Sequence, residues 1–166
     1  MRVILLGGAP GIGKSTVARE LLVRAQPLVG RLVQWVDVDG LWLHQPWRVD
    51  DRMKGMLHRN LAAVLRNAAE AGVDDVVVTW VYQSADLQHL VRGLAPQSSE
   101  FVSVQLTAAP AAWRERFAGD PNRPGIDAFF EGRYRDAAQT PADHRVSTDD
   151  LNATEVAALV AGHIGW

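Results

Sequence analysis

The sequence predicts a three-layer α/β/α sandwich built on a five-stranded parallel sheet. Three observations lead there. Short runs of β-branched and aromatic residues recur along the chain, each followed by a stretch with helical spacing. That alternation calls for parallel strands covered by helices on both faces. The third observation is the stretch "LLGGAPGIGKST" (5–16), where four glycines separate the first strand from the first helix.

Each element has its own reason. "RVILL" (2–6) is a short buried strand, and "KSTVARELLVRA" (14–25) a helix that stops before Pro27. "RLVQWVDVD" (31–39) is a strand running into two aspartates. Residues 50–72 form a helix with a break expected at Gly55 and a stop at Gly72. "DDVVVTWVY" (74–82) is the third strand, and residues 84–94 a helix with Ser84 as its cap. "FVSVQLTA" (101–108) is the fourth strand, followed by a helix over 110–119 that starts on proline. "GDPNRPG" (119–125) must be irregular, because prolines, glycines, Asp and Asn crowd it. Helix returns over 126–138. "HRVST" (144–148) is the fifth strand, and a helix over 152–164 capped by Asn152 closes the chain. No internal repeat or domain-scale linker interrupts the 166 residues, so one domain is expected.

Bulk properties narrow the function. A formal net charge of −2 argues against a nucleic-acid binder held by bulk electrostatics, and no apolar run approaches a membrane span. With no cysteine, disulfides and thiolate metal sites are excluded. The opening "MRVILLGG" is too short for a signal peptide, so a cytoplasmic protein is expected, as a monomer or homodimer. The histidines are scattered, and none pairs with another at metal-ligand spacing on a helix face.

Gly8 to Ser15 satisfy G-x-x-x-x-G-K-[ST] in full, between a predicted strand and a predicted helix. Backbone N–H groups of such a loop, from about Gly11 through Ile12 and Gly13 to Lys14, turn inward. With the helix N-terminus behind them they form a nest for phosphate oxygens. Lys14 can reach the β- and γ-phosphates of ATP, and Ser15, followed by Thr16, can offer a hydroxyl to Mg²⁺. A guanine reader is missing, since no lysine follows Lys54. The third strand also lacks the terminal carboxylate expected of a motor or transporter ATPase.

The P-loop, "VDVD" (36–39), "RFAGDPNRP" (116–124) and "VSTDD" (146–150) together resemble the shikimate kinase branch of the small P-loop kinases. Gluconate kinases and antibiotic phosphotransferases are relatives of that branch. The resemblance spans nearly the whole chain. It implies a metal-holding role for Asp37 and an acceptor-orienting, proton-accepting role for Asp39. If both lie on one strand, two residues apart, they point the same way. It also implies a lid over about 117–126, with Arg116 stacking on adenine and Arg123 closing over the phosphates. Arg114 competes with Arg116, because both lie on one helix.

For the acceptor site the resemblance thins. "TWVYQS" (79–84) stands where shikimate kinases carry three glycines, so shikimate itself is not the expected substrate. Residues 40–60 hold Trp42, His44, Trp47, Arg48 and Arg52 instead, with Trp80 expected nearby at the end of a strand. Those tryptophans suggest an apolar or ring-bearing acceptor, although each could equally be core. Arg48 or Arg52 could hold an anionic group on it, and Arg133, seven residues beyond the expected lid, could reach either phosphate or acceptor. His44 reads as a turn or packing residue. The expected activity is transfer of the γ-phosphoryl group of ATP, with Mg²⁺, to a small-molecule hydroxyl. A nucleoside or nucleotide kinase, or a nucleotide-dependent regulatory protein, is the alternative.

Overall fold

The computed structural model describes residues 1–28 and 30–166. Among them, strands β1 (Arg2–Gly7), β2 (Val33–Asp37), β3 (Asp75–Thr79), β4 (Glu100–Thr107) and β5 (His144–Ser147) alternate with six helices. These are α1 (Lys14–Ala25), α2 (Asp51–Glu70), α3 (Ala85–Leu94), α4 (Pro110–Ala118), α5 (Ala128–Gln139) and α6 (Ala153–Ile164). Every pairing is parallel and the sheet order is β2-β3-β1-β4-β5. This is the α/β/α architecture expected.

The three layers follow from the two-residue period of β1. Ile4 and Leu6 pack with Leu21, Trp113, Phe117 and Val160, from α1, α4 and α6. Val3 and Leu5 point the other way, into a second core with Leu57, Leu61 and Leu65 of α2 and Val91 of α3. The chain leaves β1 toward one edge of the sheet and later returns past it to β4. The loop after β1 therefore opens at the centre of the sheet, where connections diverge and a crevice forms.

Several local expectations change. Helix α2 runs unbroken through Gly55. One helical glycine costs about 1 kcal/mol, less than the burial of the Leu57, Leu61 and Leu65 stripe returns. Its N-terminus is capped by Asp50, which accepts from the Met53 backbone N–H at 2.9 Å. Asn152 caps α6 in a full capping box with Glu155, whereas Ser84 holds the cap position of α3 without a side-chain bond. Strand β3 ends at Thr79, so Trp80 lies just beyond it.

The largest departure concerns the aspartates. Strand β2 stops at Asp37, Val38 turns helical (φ −63°, ψ −36°), and Asp39 opens a 3-10 turn over Asp39–Leu41. Asp37 causes the turn: its carboxylate accepts from the Asp39 backbone N–H at 3.1 Å, as Asp side chains do when they end a strand. Asp37 and Asp39 thus do not lie on one strand, and strand alternation does not set their direction.

Among the described residues, no helix is long and apolar enough to cross a membrane.

Candidate functional site

The loop between β1 and α1 has the geometry of an anion nest. Gly13, the residue before α1, sits in the left-handed region (φ 102°, ψ 13°) and contributes no side-chain cap. The first N–H groups of α1 are therefore left for an anion. A Cβ on Gly13 would meet nothing within 4 Å, so this residue faces open space. Gly11 is also left-handed (φ 78°), and a Cβ there would come within 3.0 Å of the Phe117 ring. Behind the loop, Ile12 is buried in the core and the Trp113 indole donates to the Pro10 carbonyl at 2.7 Å. Helix α4 thus pins the loop from behind.

The Lys14 ammonium lies under the loop, donating to the carbonyls of Gly8 (3.0 Å) and Ala9 (2.9 Å). Burial pushes its pKa down to about 8 against the opposing pull of Asp39 and Asp37; the charges of Arg123 and Arg133 push it the same way as burial. Beside it, the Ser15 hydroxyl donates to Asp37 Oδ2 at 2.9 Å. These are hard oxygen donors of the kind Mg²⁺ takes. Among the described residues no three His, Cys, Asp or Glu side chains converge as a metal cage. That donor set suits Mg²⁺, which keeps several waters and completes its shell with phosphate oxygens.

A cavity of about 200 Å³ opens on this loop, lined by Gly11, Gly13, Lys14, Ser15 and Thr16. Arg116, Asp120 and Arg123 form its other wall. Of the two competing arginines on α4, Arg114 is held at the surface by Glu131, at 2.7 and 3.2 Å. Arg116 reaches the cavity, donating to Thr148 Oγ1 at 2.8 Å and to Asp149 at 3.4 Å. Arg123 is tied to Asp120 at 2.9 Å, with its guanidinium 5.1 Å over the Phe117 ring. The Asn122 backbone N–H, then Arg123 itself, hold the Asp120 carboxyl below the usual carboxylate range.

Asp39 stands at the solvent-facing mouth of the crevice, yet its carboxyl is hemmed in by neighbouring protein. That desolvation, with the nearby Asp37 charge, raises its pKa, while Lys14, Trp42 and Arg133 pull it back. Lys14 and Asp39 each feel the charges of Asp37, Arg133 and one another, although these residues come from three separate segments.

The remaining candidates divide. Trp42 belongs to the core, and Trp47 packs edge-on against it at 5.1 Å. His44 stacks on Trp47 at 5.1 Å, and its ring nitrogens face the Trp42 carbonyl and the Arg48 backbone, as suits a turn residue. Trp80 is half-buried, 6.0 Å from Tyr82 in a T-shaped pair. Arg48 and Arg52 are exposed, and among the described residues neither pairs with a carboxylate.

No protein-family model matches the chain, and no curated protein matches it. Solved structures do. A sugar kinase from Janibacter sp. HTCC2649 superposes with a TM-score of 0.70 at 14% identity, covering 99% of this chain and 95% of its own. The tunicamycin resistance protein of Deinococcus radiodurans gives 0.70 at 20% identity, with the same coverage. Shikimate kinase from Aquifex aeolicus gives 0.63 at 16%, covering 98% of this chain and 96% of its own. The chain has the fold of the small P-loop kinases.

Set on that P-loop kinase fold, three partners escaped the sequence reading. Thr148 and Asp149 receive Arg116, and Asp120 receives Arg123. "VSTDD" and the aspartate of "GDPNRP" were the available signals, but only the fold brings them to the arginines.

Proposed function

We propose that this protein is an ATP-dependent kinase that transfers the γ-phosphoryl group to a hydroxyl of a small molecule. The observation that carries this reading is one juxtaposition: a nest of free helix N–H groups and the Lys14 ammonium lie beside the Ser15–Asp37 pair and the raised carboxyl of Asp39.

The loop N–H groups and Lys14 bind and orient the β- and γ-phosphates. Mg²⁺, when bound through Ser15 and the water shell facing Asp37, supplies charge neutralisation on those phosphates. Asp39 hydrogen-bonds the acceptor hydroxyl and takes its proton as the oxygen bonds to the γ-phosphorus and ADP departs. A carboxylate with a raised pKa suits that task better than an unperturbed one. Arg123, released from Asp120, meets the charge spread over the transferring oxygens, while Arg116 braces the nucleotide base. Asp39 favours this chemistry over a purely regulatory nucleotide switch, which needs no proton acceptor beside its phosphates.

The test is transfer of label from γ-labelled ATP into an organic acceptor pool. Wild type should label at least one hydroxyl compound, and Lys14→Ala should not. Label found only as inorganic phosphate, or undiminished transfer by Lys14→Ala, would refute the reading.

A further inference from the structure

Trp42 has a second neighbour besides Trp47. Strand β2 gives way to the 3-10 turn Asp39–Leu41, and Trp42 follows that turn directly. Side chains three positions apart on such a turn lie one above the other, so Trp42 shares a face with Asp39. Two bonds fix the turn. The Asp37 carboxylate accepts from the Asp39 backbone N–H at 3.1 Å, and the Asn60 side chain of α2 donates to the Leu41 carbonyl at 2.7 Å. The indole is fixed as well. It is only 9% exposed, lies in the core with Leu57 and Leu61, and carries Trp47 edge-on at 5.1 Å.

The direction of the indole N–H is therefore set by packing. Nε1 is buried and makes no bond of ordinary length among the described residues; the acceptor it faces is the Asp39 carboxyl. A buried indole N–H left without an acceptor is costly, which favours this contact over any other orientation of the carboxyl. Bonds of this kind are often long in an empty site and shorten when the reacting complex forms. On its other side Asp39 is open to solvent at the mouth of the crevice. Asp37, Lys14 and Arg133 act on the same carboxyl through charge, which sets no torsion. The terminal torsion of an aspartate is broad unless a directional partner holds it.

We propose that Trp42 is a positioning residue for Asp39, not a wall of the acceptor site: its indole N–H holds one carboxylate oxygen so that the other is turned to the acceptor hydroxyl. This rests on the kinase reading above, in which Asp39 takes the acceptor's proton.

Benzothienylalanine in place of Trp42 keeps the bicyclic ring and removes only the N–H, so the core stays filled. The first readout needs no substrate. In proton–nitrogen spectra the Trp42 indole resonance, identified by its absence from the benzothienyl protein, should shift in Asp39→Ala more than any other indole resonance. The second uses γ-labelled ATP with the organic acceptor pool. The benzothienyl protein should transfer label roughly tenfold more slowly or worse at saturating ATP, with the KM for ATP within about twofold of wild type. In an Asp39→Ala background the same replacement should cost less than about twofold, because the group it acts through is gone. A merely structural indole would cost the same in both backgrounds. An indole resonance indifferent to Asp39, or equal losses in the two backgrounds, overturns the proposal. If wild type transfers no label, the kinase reading fails and the positioning role falls with it; if wild type transfers and the losses are equal, only the role of Trp42 fails.

Discussion

Raising the pH should weaken ATP binding in a defined window, because the nest works only with a charged Lys14. In the free protein burial holds the Lys14 pKa near 8. Phosphate oxygens replacing the Gly8 and Ala9 carbonyls would favour the ammonium form and lift the pKa toward its ordinary value of 10.5. The sign follows directly. Below pH 8 the free lysine is already charged, and affinity is independent of this group. Above it, binding must take up a proton, so affinity falls about tenfold per pH unit until the bound-state pKa is reached. If that value returns fully to 10.5, the whole loss is on the order of 300-fold, about 3.4 kcal/mol. The phosphate itself titrates near pH 6, outside the window. Calorimetry at pH 7, 8, 9 and 10, in two buffers of different ionisation enthalpy, reads both affinity and proton uptake. Lys14→Met should bind more weakly at pH 7 and show no such slope. Constant affinity from pH 7 to 10, or no proton uptake at pH 9, refutes the reasoning.

The other predictions concern the residues around the glycine loop. Asp39→Asn should lower kcat by on the order of 10²- to 10⁴-fold with ATP affinity nearly unchanged, whereas Asp37→Asn should raise the Mg²⁺ concentration for half-maximal rate; the reverse pattern in steady-state kinetics would swap their roles. Arg123→Ala should lower kcat by on the order of 10²-fold or more and leave the melting temperature in place, since the loop is exposed; wild-type turnover would remove Arg123 from the chemistry. Trp113→Phe loses the bond to Pro10 and leaves part of the buried indole's space empty, so denaturant melts should show a loss of about 2 kcal/mol or more and titrations a weaker ATP affinity; an unchanged affinity would mean α4 does not brace the loop.

Nearly all of the fold was legible because its signals are local. The two-residue period of "RVILL" separates Ile4 and Leu6 from Val3 and Leu5, and the stripe at Leu57, Leu61 and Leu65 outweighs the glycine expected to break α2. The P-loop was equally legible, since its backbone angles demand glycine at fixed spacings. Strand ends were not. β2 yields to a bond from Asp37 to the Asp39 backbone, and alternation continued through that turn gives the wrong geometry for Asp39.

The segments expected to meet an acceptor are illegible for a different reason: the fold decides which of their side chains are buried. In the sequence Trp42 and Trp47 are equivalent, two tryptophans five residues apart. In the fold Trp42 is core, with its N–H facing the Asp39 carboxyl, and Trp47 is half exposed on top of it. Likewise Arg48, Arg52 and Arg133 look alike as cations, yet only Arg133 acts on both Lys14 and Asp39. Spacing along the chain cannot sort such residues, because Arg133 lies on α5, more than ninety positions from Asp39 in the sequence. What separates them is the desolvation of individual atoms. Residue type alone therefore says less about this crevice than which atoms the fold removes from water.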